Sequence, residues 1–465
     1  MSSIPVTDFR PGDGHGSHGA GPGQGHGHRH GDGHGPGPGS PAADAGDVLD
    51  RIRRIALLAA GAGIALVLLG LLIHGVRAFF QAYLYAYVFW TGLSLGCLAV
   101  LMLQHLVGGA WGSIIQRPLE AGTRVLPVMA LLFIPLALMV AAGKPYLYEW
   151  LEQAWRDTWH GRANSGFKLW YLSRGGFIVR ALVYFATWIG LASLLNRWSA
   201  RQDQAPDERA SLRMQLVSGP GLVLYVLTVS LAVVDWVMSL EADWYSTLYG
   251  LLFVVGQVLA TLSVVVVLVS AISRRRPLAG VVSVGHFHDL GNLLLAFVML
   301  WAYLSFSQFL IIWSGNIAEE TPYYYSRTQT GWKYVALTLV MFHFFVPFIL
   351  LLWRRTKRNP STLTKVALAL LVMRLIDLFW VMGPSFAHAS PRGNESYAAA
   401  EAAARGTAHA VAATNGWWHA WMFPAAAAGI GGVWVLAYVA TLRRRPLLPL
   451  NDARLIAAAA ATGGH

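Results

Sequence analysis

Cysteine is all but absent from this chain: among 465 residues only Cys97 carries a thiol. One cysteine excludes an intrachain disulfide, a CxxCH haem attachment and a cysteine-ligated iron–sulfur cluster. Any redox chemistry must then use cofactors on other subunits, or diffusible ones. Cys97 lies inside an apolar block and reads as a small packing residue. Charge is scarce as well. Asp, Glu, Lys and Arg make up 12% of the chain, about half of what a soluble globular protein carries. No P-loop or helical-repeat signature appears, and the N-terminus lacks the apolar h-region of a signal peptide.

What is abundant is apolar sequence. Hydrophobic residues make up 55% of the chain and mean hydropathy is +0.48. They fall in blocks of about 20 separated by short polar stretches, the pattern of a polytopic helical membrane protein. The net charge of +12 could suggest a nucleic-acid partner. The basic residues sit at the ends of apolar blocks, so topology accounts for them better and no nucleic acid is expected.

The chain divides into a Gly/His-rich tail over 1–50, a membrane domain over 51–445 and a C-terminal tail over 446–465. The first tail cannot bury a core and is expected to be disordered. Ten spanning helices are predicted, near 55–76, 83–106, 124–142, 177–197, 218–239, 247–272, 286–313, 331–353, 363–383 and 420–441. With ten spans, "RIRR" (51–54), the 196–213 loop, "SRRRP" (273–277), "RRTKR" (354–358) and "RRRP" (443–446) share one side. The positive-inside rule makes that side cytoplasmic, with both termini there. Trp and Tyr crowd the opposite ends as an interfacial belt. Loop 143–176 is too polar to span and is expected to fold on the outer surface.

Charge inside a membrane span costs free energy and usually faces protein or water. The candidates, from the cytoplasmic side outward, are His286, His288 and Asp289 at the start of the seventh span, then His343 in the eighth and Arg374 with Asp377 in the ninth. Asp235 lies in the outer part of the fifth, and Glu241, Asp243 and Trp244 follow it at the surface. Gln308 and Trp313 lie in the outer half of the seventh. Arg374 and Asp377 stand three residues apart on one helical face and can pair. The pair can simply neutralise itself, or it can hold a carboxylate that relays protons. Pro347 has no N–H to give to the His343 carbonyl, which frees an acceptor beside a titratable ring. Alternatively, the histidine is satisfied by a neighbouring Ser or Tyr. The histidines do not sit at matched depths, so intrinsic haem b is not expected, and no metal site is.

Three stretches, "FHDLGNLLLAFVMLWAYLSFSQFLIIWSGNIAEETPYY" (287–324), "DWVMSLEADWYSTLYG" (235–250) and "RLIDLFW" (374–380), resemble the second, shorter quinone-binding-type subunit of alternative complex III. This bacterial quinol:cytochrome c oxidoreductase subunit belongs to the polysulfide-reductase/NrfD-like membrane family, and the resemblance covers about residues 50–445. It implies an all-α fold of ten transmembrane helices, as two four-helix bundles with two peripheral helices, in the bacterial cytoplasmic membrane. It implies partners: an NrfD-like sister subunit with the quinol site, an iron–sulfur subunit, multihaem and monohaem cytochromes c, and a terminal oxidase as a further associate. Haem c and iron–sulfur clusters would then belong to those subunits, and menaquinone or ubiquinone would be the quinone. The chain would not be catalytic alone, and the intramembrane series above would match the family's proposed proton half-channel. Two other readings stay open: a membrane anchor with its own outer quinol site near Asp235, Glu241, Asp243 and Trp244, and a secondary transporter.

Overall fold

The computed structural model describes residues 44–160, 165–204, 208–318, 320–328, 331–388 and 419–449. Most of the two tails and the 389–418 segment therefore lie outside the described residues. The described chain is helical: α1 Ala45–Val107, α2 Ala110–Thr123, α3 Leu126–Ala141, α4 Gln153–Trp159, α5 Ser165–Tyr171, α6 Arg174–Gln204, α7 Glu208–Trp236, α8 Tyr249–Ile272, α9 Val284–Gly315, α10 Thr321–Thr328, α11 Trp332–Leu339, α12 Val346–Leu352, α13 Arg354–Arg358, α14 Pro360–His388 and α15 Met422–Leu442. Among the described residues, nine helices are long and apolar enough to cross a membrane, with α2–α3 counted as one and α11–α12 as another. This is an all-α, multi-pass membrane architecture.

The first helix is a hairpin. Straight, its 63 residues would run about 95 Å, three bilayer cores. Gly75 interrupts it with φ 81° and ψ 178°, a conformation open to glycine. Contacts with α15 give the direction of each arm. Ala60, Gly63 and Gly70 of the first arm meet Gly432, Gly429 and Met422 in turn, so this arm is antiparallel to α15. On the second arm, Trp90 Nε1 donates to the Ala427 carbonyl and Trp434 Nε1 donates to Ser94 Oγ, both at 2.8 Å. That arm runs parallel to α15, so the chain doubles back at Gly75. The sequence reading left 77–82 as a loop between two spans; the reversal needs only the one glycine. The helix also begins at Ala45, inside the stretch read as tail.

Small residues set the packing of the first arm. Ala56, Ala60, Gly63, Val67 and Gly70 are buried at spacings of three and four, the pattern that lets membrane helices touch backbone to backbone. A Cβ on Gly63 would stand 2.3 Å from the Gly429 nitrogen. The opposite face is exposed leucine and isoleucine, including Leu58, Leu72 and Ile73, as expected for a helix at the lipid boundary.

The second arm is buried from Gln81 to His105 almost throughout. It packs with α3, α6 and α7 on one side, where Tyr87 donates to the Met129 carbonyl at 3.1 Å. On the other side it meets α8 across glycines: a Cβ on Gly96 would lie 2.4 Å from the Gln257 carbonyl oxygen. Helices α9 and α14 pack on α8, and α11–α12 closes the group against α9 and α14. The described residues of 142–160 and 165–173 include the short helices α4 and α5 near the end of the bundle where α7 finishes, and Tyr148 donates there to the Trp236 carbonyl at 3.0 Å. We call this the cap end. The opposite end carries Arg354–Arg358 and Arg443–Arg445 and is the basic end.

Candidate functional site

Four helices bring charge together in mid-bundle. On α14 the Arg374 guanidinium pairs with the Asp377 carboxylate three residues on, and both side chains are buried. The Cα hydrogen of Gly256 on α8 makes room for that guanidinium; a Cβ there would lie 2.3 Å from Arg374 Cζ. From α9, Trp301 Nε1 donates to Asp377 Oδ2 at 3.3 Å. The Trp301 ring also stacks on His343, centroids 4.2 Å apart. His343 is fully buried; neither ring nitrogen makes a well-formed hydrogen bond, and the Met373 backbone on α14 is the polar group within its reach.

The backbone around His343 is wide. Residues Val340–Phe345 form a π-helical turn, and the Val346 N–H reaches back to the Met341 carbonyl. Such bulges arise where the regular i to i−4 ladder cannot close, and Pro347, four residues after His343, cannot donate. The turn swings His343 toward α9 and α14. His343, Arg374 and Asp377 thus belong to one cluster, with Trp301 as the added link.

Toward the cap end a second buried cation appears. Arg327 of α10 is completely buried. Its Nη2 donates to Glu241 Oε1 at 3.0 Å, the Val381 carbonyl at 2.7 Å and Ser385 Oγ at 3.1 Å. Its guanidinium lies 3.5 Å over the Tyr323 ring, and Ser385 donates to Glu241 at 2.6 Å. Burial alone would make Arg327 easier to deprotonate, but Tyr323 and Glu241 hold it in its charged form. Burial likewise raises the Tyr323 phenol to about 12 despite the arginine beside it. Trp244 stacks on Tyr323 at 3.9 Å. Val381 is one turn beyond Asp377, so Arg327 reaches within about 6 Å of helix rise from the central pair.

The remaining candidates lie apart. Asp235 is held by Arg180 through two hydrogen bonds of 2.9 Å and by Tyr184 at 2.8 Å, at the α6–α7 contact rather than with the central cluster. Asp243 accepts from Lys168 at 3.0 Å and Trp159 at 3.1 Å, tying down the cap. Gln308 is buried with Oε1 unpartnered, and Trp313 is 67% exposed. At the basic end His286 closes the first turn of α9, its Nδ1 accepting from the Ser283 N–H at 3.0 Å. His288 and Asp289 are half-buried on the same turn. Nearby, the buried Lys357 donates to Asn292 Oδ1 at 2.7 Å. From Asn292 to Trp301 is about 14 Å of helix, with the fully buried Leu294 and Val298 between. Polar continuity from the central cluster is therefore better toward the cap end.

Sequence reasoning missed Arg180, Arg327, Lys357 and a cluster at the basic end in which Arg117 pairs with Glu120 at 2.8 Å and with Asp203. Arg180 and Arg117 stood within or beside apolar blocks and carried a signal. Arg327 and Lys357 sat in polar loops and gave none. Comparison with protein-family models finds no match, and comparison with curated proteins finds none.

Proposed function

We propose that this chain is an integral membrane subunit of a quinol:cytochrome c oxidoreductase of the alternative complex III type, and that it moves protons rather than electrons. Counting both arms of α1 gives ten crossings. The helices group as two sets of four, namely the second arm with α2–α3, α6 and α7, and α8 with α9, α11–α12 and α14; the first arm and α15 are peripheral. This arrangement supports the NrfD-like reading. In it, quinol oxidation belongs to the sister subunit, with haem c and iron–sulfur carriers on the other partners.

The observation that carries the reading is the buried Arg374–Asp377 ion pair set beside a fully buried His343 whose ring nitrogens make no well-formed hydrogen bond. Buried polar atoms are usually hydrogen-bonded, so this exception beside an ion pair calls for an explanation. In this proposal Asp377 holds a proton in transit and Arg374 returns it to the ionised state. His343 passes the proton to and from water held at the widened turn. Ser385, Arg327 and Glu241 continue the route to the cap-end surface, where Glu241 is partly exposed. His286, His288 and Asp289 mark the basic-end approach.

Purification through a tag on this chain from native membranes tests the assignment. Haem c and iron–sulfur subunits should elute with it in fixed ratio. Elution as a chain free of haem and of partner subunits would overturn the proposal.

A further inference from the structure

A pocket of about 440 Å³ opens at the basic end between α3 and α6. It is lined by Arg124, Arg197, Arg201 and Arg445, with Asn196, Ser193 and Ile189 leading inward. Glu120 and Asp203 are the neighbouring anions, and both are engaged by Arg117. Glu120 also meets Arg445 at 3.3 Å and Arg124 at 3.6 Å. Among the described residues, five arginines face two carboxylates, an excess of three positive charges. Asn196 Oδ1 there lacks a hydrogen-bond partner, and Arg124 Nη2 has only its 3.6 Å ion pair with Glu120. Arg197 and Arg201 are exposed.

Beyond the pocket both helices present exposed aliphatic faces. On α3 the sequence Arg124, Pro127, Leu131, Ile134, Leu138 advances by three and four residues, so it forms one helical stripe. On α6 the matching stripe is Arg201, Arg197, Ser193, Ile189, Ala186, Leu182, Val179. Leu131, Ile134, Leu138, Leu182 and Val179 are exposed large hydrophobics. The stripes change from basic to aliphatic over about 21 Å on the α3 side and about 33 Å on α6, which is the profile of a phospholipid: anionic head at one end, acyl chains along the rest.

We propose that the pocket and these faces form a binding site for an anionic phospholipid, its phosphate held by Arg124, Arg197, Arg201 and Arg445 and its chains lying along α3 and α6. The shared chemistry of the head is a phosphate anion, which free phosphate could also supply; the apolar stripes favour the lipid. Basic pockets between membrane helices recognise such headgroups. The site is independent of the functional proposal and needs only that the chain cross a membrane.

Native mass spectrometry of the detergent-purified protein, with its partners, should show a retained anionic phospholipid. After delipidation, titration with cardiolipin should give saturable binding, and phosphatidylcholine should bind far more weakly. The variant Arg197→Gln/Arg201→Gln removes two exposed charges without breaking a buried pair. At about fivefold per arginine it should weaken cardiolipin binding by about 25-fold. Ser193→Trp, which fills the pocket without changing charge, should also lower retention. Equal retention by wild type and both variants would overturn the proposal. So would complete competition by millimolar inorganic phosphate, or cross-linking of an acidic segment of a partner subunit into the pocket.

Discussion

Replacing one member of the Arg374–Asp377 pair should cost far more than replacing both. With Arg374→Met, Asp377 keeps only the 3.3 Å bond from Trp301, in a site whose other neighbours are helix backbone and aromatic rings. With Asp377→Leu, the guanidinium is left between Phe253, 5.6 Å away, and the space beside Gly256, and arginine cannot shed its proton. Removing one partner of a buried pair costs about 3–5 kcal/mol. Replacing both with apolar groups of similar volume returns most of that, since neither desolvation cost remains. The double variant Arg374→Met/Asp377→Leu is therefore expected within about 1 kcal/mol of wild type, with a coupling free energy of several kcal/mol in the cycle. Reversible unfolding in mixed micelles, at one detergent composition for all four proteins, reads the difference. Single variants as stable as wild type, or a double variant as unstable as the sum of the two, would refute the claim that the charges face each other in a buried, low-dielectric interior.

Glu149 in the cap carries a carboxyl pushed up to about 7, first by burial and then by Asp243, Glu152 and Glu241, with Arg77 opposing. A raised carboxyl means the folded state holds its proton more tightly than the unfolded chain does. Stability should thus be greatest below the ordinary carboxylate range and decline as pH rises to about 7; Glu149→Gln should flatten that slope, and an unchanged slope would rule out this carboxyl as its source. Gly63→Val would drive a Cβ within 2.3 Å of the Gly429 nitrogen. Since the obstacle is backbone, it should cost about 1–3 kcal/mol or more and make the first arm of α1 susceptible to protease at Gly75. Gly61→Val, on an open face with nothing within 4 Å, is the matched control and should leave both readouts unchanged.

The spans were legible because bilayer thickness writes itself into the length of apolar blocks; most edges fall close to the helix ends, but α1, α6 and α7 run seven to ten residues further into polar sequence at the basic end, where helix continues outside the apolar block. The Arg374–Asp377 pair was legible because both members lie on one helix, where spacing decides who meets whom. Partners far apart in sequence were not. Glu241, Arg327 and Ser385 come from three elements, and only folding places them together. The same holds for Trp301 against His343, since nothing in a tryptophan's local sequence marks it as a stacking partner. The reversal between the first two spans was expected, but its confinement to Gly75 was hidden because a single glycine within an apolar run is common and only its φ reveals the turn.

The claim that protons pass through the Arg374–Asp377–His343 cluster is tested most directly by the charge-free double variant assembled in its complex. Reconstituted in proteoliposomes with quinol and cytochrome c, it should keep its haem content and fold. The number of protons moved per electron transferred should fall relative to wild type. An unchanged proton-to-electron ratio and turnover in a fully assembled Arg374→Met/Asp377→Leu complex would contradict the account.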